Sequence, residues 1–248
     1  MAEDILVFVL IGFVAQLIDG AIGMAYGITA ATALMSMGVP PAAASAAVHA
    51  AEVATTAASG TAHWRLGNVD RKLVVRLAVP GVLGGMAGAY LLVNLPSERL
   101  RPFVSAYLLA MGLLILIRAL RHFDTATFGG KHPAALGLAG GFLDAIGGGG
   151  WGAMVTSTLV GWGVTPRFAI GSANVAEFFV TVAVTAMFFV TTGLTQWTVI
   201  FGLVIGGVLA APLAALAARS IPDRPMMMLV GGAVILLSVR NLLASPGP

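Results

Sequence analysis

Glu52 and Glu177 are carboxylates set inside long apolar stretches. Placing an ionised side chain at the centre of a bilayer costs about 2.5–3.5 kcal/mol on the insertion scale. A chain that keeps two of them there uses them, either at a substrate or proton site or as hydrogen-bond partners of broken backbone. Each glutamate sits in a narrow polar stripe at helical spacing. Ser45, His49, Glu52 and Thr56 share one helix face, and Asn174, Glu177, Thr181 and Thr185 share another. Two such stripes facing each other across a midplane cavity would form a small polar site in an apolar body.

The two stripes belong to a duplication. Shifting residues 19–60 by 125 positions, without a gap, lays them on residues 144–185, and 12 of the 42 pairs are identical. Asp19 falls on Asp144, Gly23 on Gly148, Gly27 on Gly152, Pro41 on Pro166, Glu52 on Glu177 and Thr56 on Thr181. Composition alone accounts for roughly a tenth of pairs in a chain so rich in Ala, Gly, Leu and Val. Matched carboxylates and a matched proline are also the wrong residues for chance agreement in an apolar chain.

The 248 residues are 58% hydrophobic and 9% charged, with a mean hydropathy of +0.97. A soluble domain carries about 25% charged residues, so lipid must cover much of this surface. The expected fold is an all-α integral membrane protein, since the apolar runs are continuous rather than alternating. The chain has no cysteine, which excludes disulfides, thiolate metal sites and cysteine nucleophiles. Its net charge of +3 is scattered through loops, so no nucleic-acid partner is expected. No G-x-S-x-G or H-E-x-x-H motif occurs, so no enzyme is expected. Nothing in the chain calls for a cofactor. The first apolar run, residues 5–18, has the length of a signal-peptide core, but Glu3 and Asp4 precede it and it belongs to the repeat. It is read as mature protein.

Each half is expected to hold a pair of short helices and three long ones. In the first half the pair covers residues 5–18 and 24–37, broken at Asp19–Gly23, followed by long helices over 41–62, 73–95 and 102–120. In the second it covers 134–143 and 151–162, followed by 166–191, 197–218 and 225–243. Fourteen residues of helix reach only about 21 Å, short of a ~30 Å hydrocarbon core, so each pair is read as tilted short spans or a re-entrant hairpin. The domain reading is 1–122 and 134–248, joined by a cytoplasmic linker over 123–133. Five pieces per half is an odd number, which inverts the second half. That model places ten Lys and Arg residues inside, Arg65, Arg71, Lys72 and Arg167 among them, and only Arg99, Arg101 and Arg240 outside. Inverted repeats with interrupted helices are the pattern of secondary transporters.

Other residues carry two readings each. Asp19 and Asp144 stand at the breaks, where a short acceptor binds the amides freed as a helix stops. The structural reading is favoured for both, although they also count among the coupling carboxylates. Gly23, Gly27, Gly148 and Gly149 expose backbone amides near the start of the next helix, and helix N-termini bind anions. Tyr26 and Trp151 are equivalent positions beside the breaks and suit a pocket wall or plain packing. His49, one turn before Glu52, suits a proton relay. Its counterpart is Asn174, so no metal site is assigned. Together Gly23, Tyr26, Gly27, His49, Gly148, Gly149, Trp151 and Asn174 are the candidate substrate-binding set, with Asp19, Glu52, Asp144 and Glu177 as coupling or structural carboxylates. The expected partners are a small anion, protons and the bilayer. A homodimer is compatible, since Gly81, Gly84, Gly85 and Gly88 suit packing between protomers as well as within one.

The duplicated segments D-G-A-I-G-M-A-Y-G and M-G-V-P-P-A-A-A-S, with their copies D-A-I-G-G-G-G-W-G and W-G-V-T-P-R-F-A-I-G-S-A-N, resemble those of the TauE/SafE sulfite-exporter family. The resemblance runs over nearly the whole chain as two tandem repeats. It implies a multi-pass carrier of the bacterial inner membrane, moving sulfite, sulfoacetate or related sulfonates and drawing on the proton motive force or the anion's own gradient. It also implies seven or eight spans, fewer than the ten helical pieces read here. The residues themselves leave two alternatives open: a proton-coupled cation or metal permease built on His49, Glu52 and Glu177, and a non-transporting membrane assembly subunit.

Overall fold

The computed structural model describes residues 2–22, 24–120, 132–220 and 223–244. Gly23 and most of the 123–133 linker lie outside the described residues. The described chain is helical throughout: α1 (Ala2–Ile22), α2 (Tyr26–Ser36), α3 (Pro41–Arg65), α4 (Arg71–Asn94) and α5 (Ser97–Leu120), then α6 (Pro133–Gly147), a π-helical turn (Gly152–Thr156) running into α7 (Ser157–Gly161), α8 (Pro166–Thr192), α9 (Trp197–Ser220) and α10 (Asp223–Leu243). Pro41 and Pro166 occupy the first turn of α3 and α8, where the missing N–H would have no partner in any case. Asp70 caps α4 by accepting from the amides of Lys72 and Leu73 at 2.9 and 3.2 Å.

Two expectations about length change. The first helix does not stop at Asp19 but continues to Ile22, giving 21 residues and about 31 Å. It is therefore not a short piece, although α2 with 11 residues is. Nor are all six long helices equally suited to lipid. Among the described residues, α4, α5 and α8 are long and apolar enough to cross a membrane. The 25-residue α3 carries Ser, Thr, His and Glu among its alanines. Its polar stripe is largely buried by neighbouring helices, so α3 is a central element rather than a lipid-facing one.

The helix pairing keeps its pattern when each element is replaced by its counterpart. Helix α1 packs on α9 as α6 packs on α4, and α3 packs on α9 as α8 packs on α4. Two pairs join equivalents, α3 with α8 and α5 with α10. Both run antiparallel. Gly60 of α3 lies against Val175, while His49, three turns earlier, lies 6.4 Å from Phe188 ring to ring. Gly112 of α5 meets Val234 and Ile235, while Gly231 meets Leu116.

Close approach is bought by absent side chains. A Cβ on Gly84 would collide with the Leu138 carbonyl, and one on Gly141 with the Gly81 carbonyl, which locks α4 to α6. The matching contacts recur across the halves: a Cβ on Gly137 would strike the Leu77 carbonyl, and one on Gly12 that of Leu203. In lipid, where the hydrophobic effect does not drive helices together, such small-residue contacts supply the association. Gly84→Ala should therefore lower the thermal unfolding midpoint in detergent. Overpacking costs about 1–3 kcal/mol, against at most about 1 kcal/mol of helix propensity gained. Gly232→Ala on α10, with open space around it, should leave the midpoint unchanged or raise it. An unchanged midpoint for Gly84→Ala would show that α4 and α6 do not depend on this contact.

Candidate functional site

The two helix breaks cross at the centre of the molecule. At the second, Gly148, Gly149 and Gly150 take φ values of +72°, +143° and +136°, a backbone that side chains resist. At the first, Ala25 takes φ +92°. The crossing point is Gly27 against Gly149, where a Cβ on either would run into the other's backbone. Each break is capped by the aspartate one turn before it. Asp19 accepts from the Tyr26 amide at 3.3 Å, and Asp144 accepts from the Trp151 amide at 2.9 Å. Each carboxylate lies in the last turns of its helix and reaches over the break.

Glu52, at the middle of α3, faces this crossing. The Gly27 amide is directed at its carboxylate, and a Cβ on Gly27 would touch Glu52 Oε1. Its other oxygen, Oε2, is buried without a hydrogen-bond partner among the described residues. Beside it lies a cavity of about 140 Å³, enough for several waters or one small oxyanion. Its wall includes Asp19, Tyr26, Gly27, Glu52, Asn174 and Glu177. No Lys or Arg lines it among the described residues. The bordering cation is Arg118 of α5, whose Nη1 donates to Ser157 Oγ and lies 3.1 Å from Sδ of the lining Met24.

The structure does not bring the whole candidate set to one place. His49, Asp144, Gly148, Gly149 and Trp151 pack outside the cavity wall. His49 and Asp144 are 0% and 1% exposed, and they form a closed cluster with Ser45. His49 Nδ1 is 2.8 Å from the Ser45 carbonyl oxygen, so it carries a proton and donates. Nε2 is 3.1 Å from Asp144 Oδ2, so a second proton lies between ring and carboxylate. Ser45 Oγ donates to the Ala145 carbonyl at 2.6 Å. The indole of Trp151 donates to the Ala173 carbonyl at 3.1 Å. The amides near the second glycine run are largely taken: Asp144 holds that of Trp151 through its side chain and that of Gly149 through its carbonyl.

The stripes also meet differently from the expectation. Because α3 and α8 are antiparallel, Asn174 and Glu177 stand near the C-terminal end of α3 rather than opposite His49. Glu52, Thr56, Asn174 and Glu177 share the cavity, whereas Ser45, His49, Thr181 and Thr185 do not. Several polar wall residues are absent from the sequence reading, Gln16, Ser59 and His63 among them. Their signals were available. Gln16 precedes Asp19 by three positions, and Ser59 and His63 continue the α3 stripe at spacings of three and four from Thr56. His63 lies just past the helix expected over 41–62, but α3 runs to Arg65.

A sequence profile of the family described as sulfite exporter TauE/SafE matches residues 8–241. A Bacillus subtilis (strain 168) protein, the probable membrane transporter protein YtnM, is 42% identical over 250 residues, covering 97% of this chain and 83% of its own length. No solved structure matches the chain.

The two capping aspartates should differ in worth. Asp144→Ala strands two buried donor groups, the Trp151 amide and the His49 ring, at about 1–3 kcal/mol each. Asp19→Ala strands one amide at the cavity edge, which costs about 1 kcal/mol. Denaturant titration in mixed micelles should show Asp144→Ala as the more damaging by a wide margin. Equal losses would contradict the asymmetry described here.

Proposed function

The chain belongs to the TauE/SafE family of membrane transporters, and we propose that it is a secondary carrier for small sulfur-containing anions such as sulfite, sulfoacetate or other sulfonates. The family match favours that substrate class. The observation that carries the mechanism is the cavity at the crossed helix breaks, walled by Asp19, Glu52 and Glu177. A bare anion is repelled by ionised carboxylates in a medium of low dielectric constant, so charge balance calls for protons to travel with it. Glu52 and Glu177 are the coupling groups in this reading. Glu52 keeps one oxygen on the Gly27 amide and leaves the other free to exchange a proton with cavity water. Arg118 supplies the nearby positive charge that an anion needs.

The antiparallel crossing of equivalent helices supports an inverted repeat, and with it alternating access around the central cavity. The lysine and arginine distribution supports cytoplasmic placement of the α3–α4 loop and of residues 123–133, in a bacterial inner membrane. The acidic wall also favours a second reading, a proton-coupled cation permease. Among the described residues no three His, Asp or Glu side chains converge as metal ligands do, which leaves the anion reading ahead.

Flux in proteoliposomes separates these. Wild type should carry sulfite or sulfoacetate, and one coupled proton moved down one pH unit supports about tenfold accumulation. Glu52→Gln should retain folding and lose that response. Glu177→Gln should weaken it. Flux that ignores sulfite and sulfonates but follows a cation would overturn the substrate class. An unchanged pH response in both variants would remove the glutamates from coupling.

A further inference from the structure

The duplication allows each residue on the cavity's path to be compared with its own counterpart. From Glu52 the wall continues along one face of α3 through Ser59 to His63, in the helix's last turn, with Gln16 opposite on α1. Shifted by 125 positions, Gln16, Thr55, Ser59 and His63 become Gly141, Val180, Val184 and Phe188. These four polar side chains have counterparts that cannot hydrogen-bond through their side chains, whereas Thr56 on the same wall keeps a threonine, Thr181, as its counterpart.

The environments differ as the residues do. Gln16 Oε1, Glu52 Oε2 and His63 Nδ1 are buried without hydrogen-bond partners among the described residues, and each belongs to a wall residue of the cavity. Buried polar atoms are satisfied by protein or by ordered water, so three orphans on one cavity wall mark a wetted route, whereas Thr185 Oγ1, also without a partner among the described residues, lies off that wall. On the other side Val180, Val184 and Phe188 are each 0% exposed. The two valines pack onto Gly81 and Gly85 of α4, and Phe188 closes over His49. Behind them the His49–Asp144–Ser45 cluster has its hydrogen bonds made internally.

We infer that the two symmetry-related half-paths have different jobs. The Gln16–Ser59–His63 face is the aqueous route by which water and a small hydrophilic solute reach Glu52, and Val180, Val184 and Phe188 form a dry gate on the opposite side. This rests on the chain being a membrane transporter and not on which solute it carries.

The chain contains no cysteine, so a single introduced thiol is read without background. Ser59→Cys and Val184→Cys are counterparts and both are small changes. Each variant, purified in nanodiscs, is exposed to a charged methanethiosulfonate and followed by mass. A thiol kept from water does not ionise and reacts slowly, so Ser59→Cys should be modified at least about tenfold faster than Val184→Cys. Wild-type protein gives a second reading through hydroxyl-radical footprinting. Tyr26, on the cavity wall, should be oxidised, and its counterpart Trp151, off the wall and 0% exposed, should be protected although indole is the more reactive ring. Equal labelling of the two cysteines, slow labelling of both, or oxidation of Trp151 ahead of Tyr26 would each overturn the assignment. Because no substrate is added, the outcome stands apart from the flux of sulfur anions.

Discussion

The backbone crossing at Gly27 and Gly149 constrains everything around it. Two helices stop there, and each stop releases amides and carbonyls that lipid cannot satisfy. The crossing is possible only because neither position carries a side chain, and it is tolerable only because nearby carboxylates take up the freed amides. Asp19 and Asp144 do so one turn before each break, and Glu52 does so from the middle of α3. These three carboxylates are thus first a consequence of broken backbone. Their chemistry is available because they are already there.

This accounts for the coexistence of scaffold and site. Glu52 has two oxygens and the crossing uses one of them. Asp144 has both oxygens engaged, by the Trp151 amide and by His49, and lies off the wall of the central cavity. Asp19, with a single longer contact to Tyr26, lines the cavity. The same residue type at equivalent places is closed in one half and open in the other. The difference lies in its neighbours: His49 reaches Asp144, whereas Asn174, the counterpart of His49, donates to the carbonyl of Ile170 at 3.1 Å.

Much of the fold was legible in the residues. Apolar runs, proline starts and glycine breaks located the helices, and the 125-residue offset pairs them in sequence. The aspartates at the breaks stand out in the sequence as short acceptors beside helix ends. Helix ends were less legible: Gly20, Ala21 and Ile22 extend α1 past Asp19, and His63 and Arg65 extend α3 past Ala62. Composition marks these as turn and loop, but an additional turn of helix satisfies backbone that would otherwise be stranded. The direction in which α3 meets α8 was not legible either, since a stripe reports a face and not its partner. That direction decides why His49 and Glu177 end on different sides of Glu52.

The dry gate proposed at Val180, Val184 and Phe188 would have a consequence for the resting state. In a carrier made of two identical halves, exchanging the roles of the halves produces a conformation of equal energy, so both would be equally populated at rest. Here the exchange would bring Gln16, Thr55, Ser59 and His63 into the packed position and unmake the bonds among His49, Asp144 and Ser45, with no equivalent set to replace them. The degeneracy is lifted by side chains alone. On the proposed alternating-access reading, an unloaded protein is therefore biased toward one face of the membrane, and the free energy released on loading must at least match that bias before the carrier can turn.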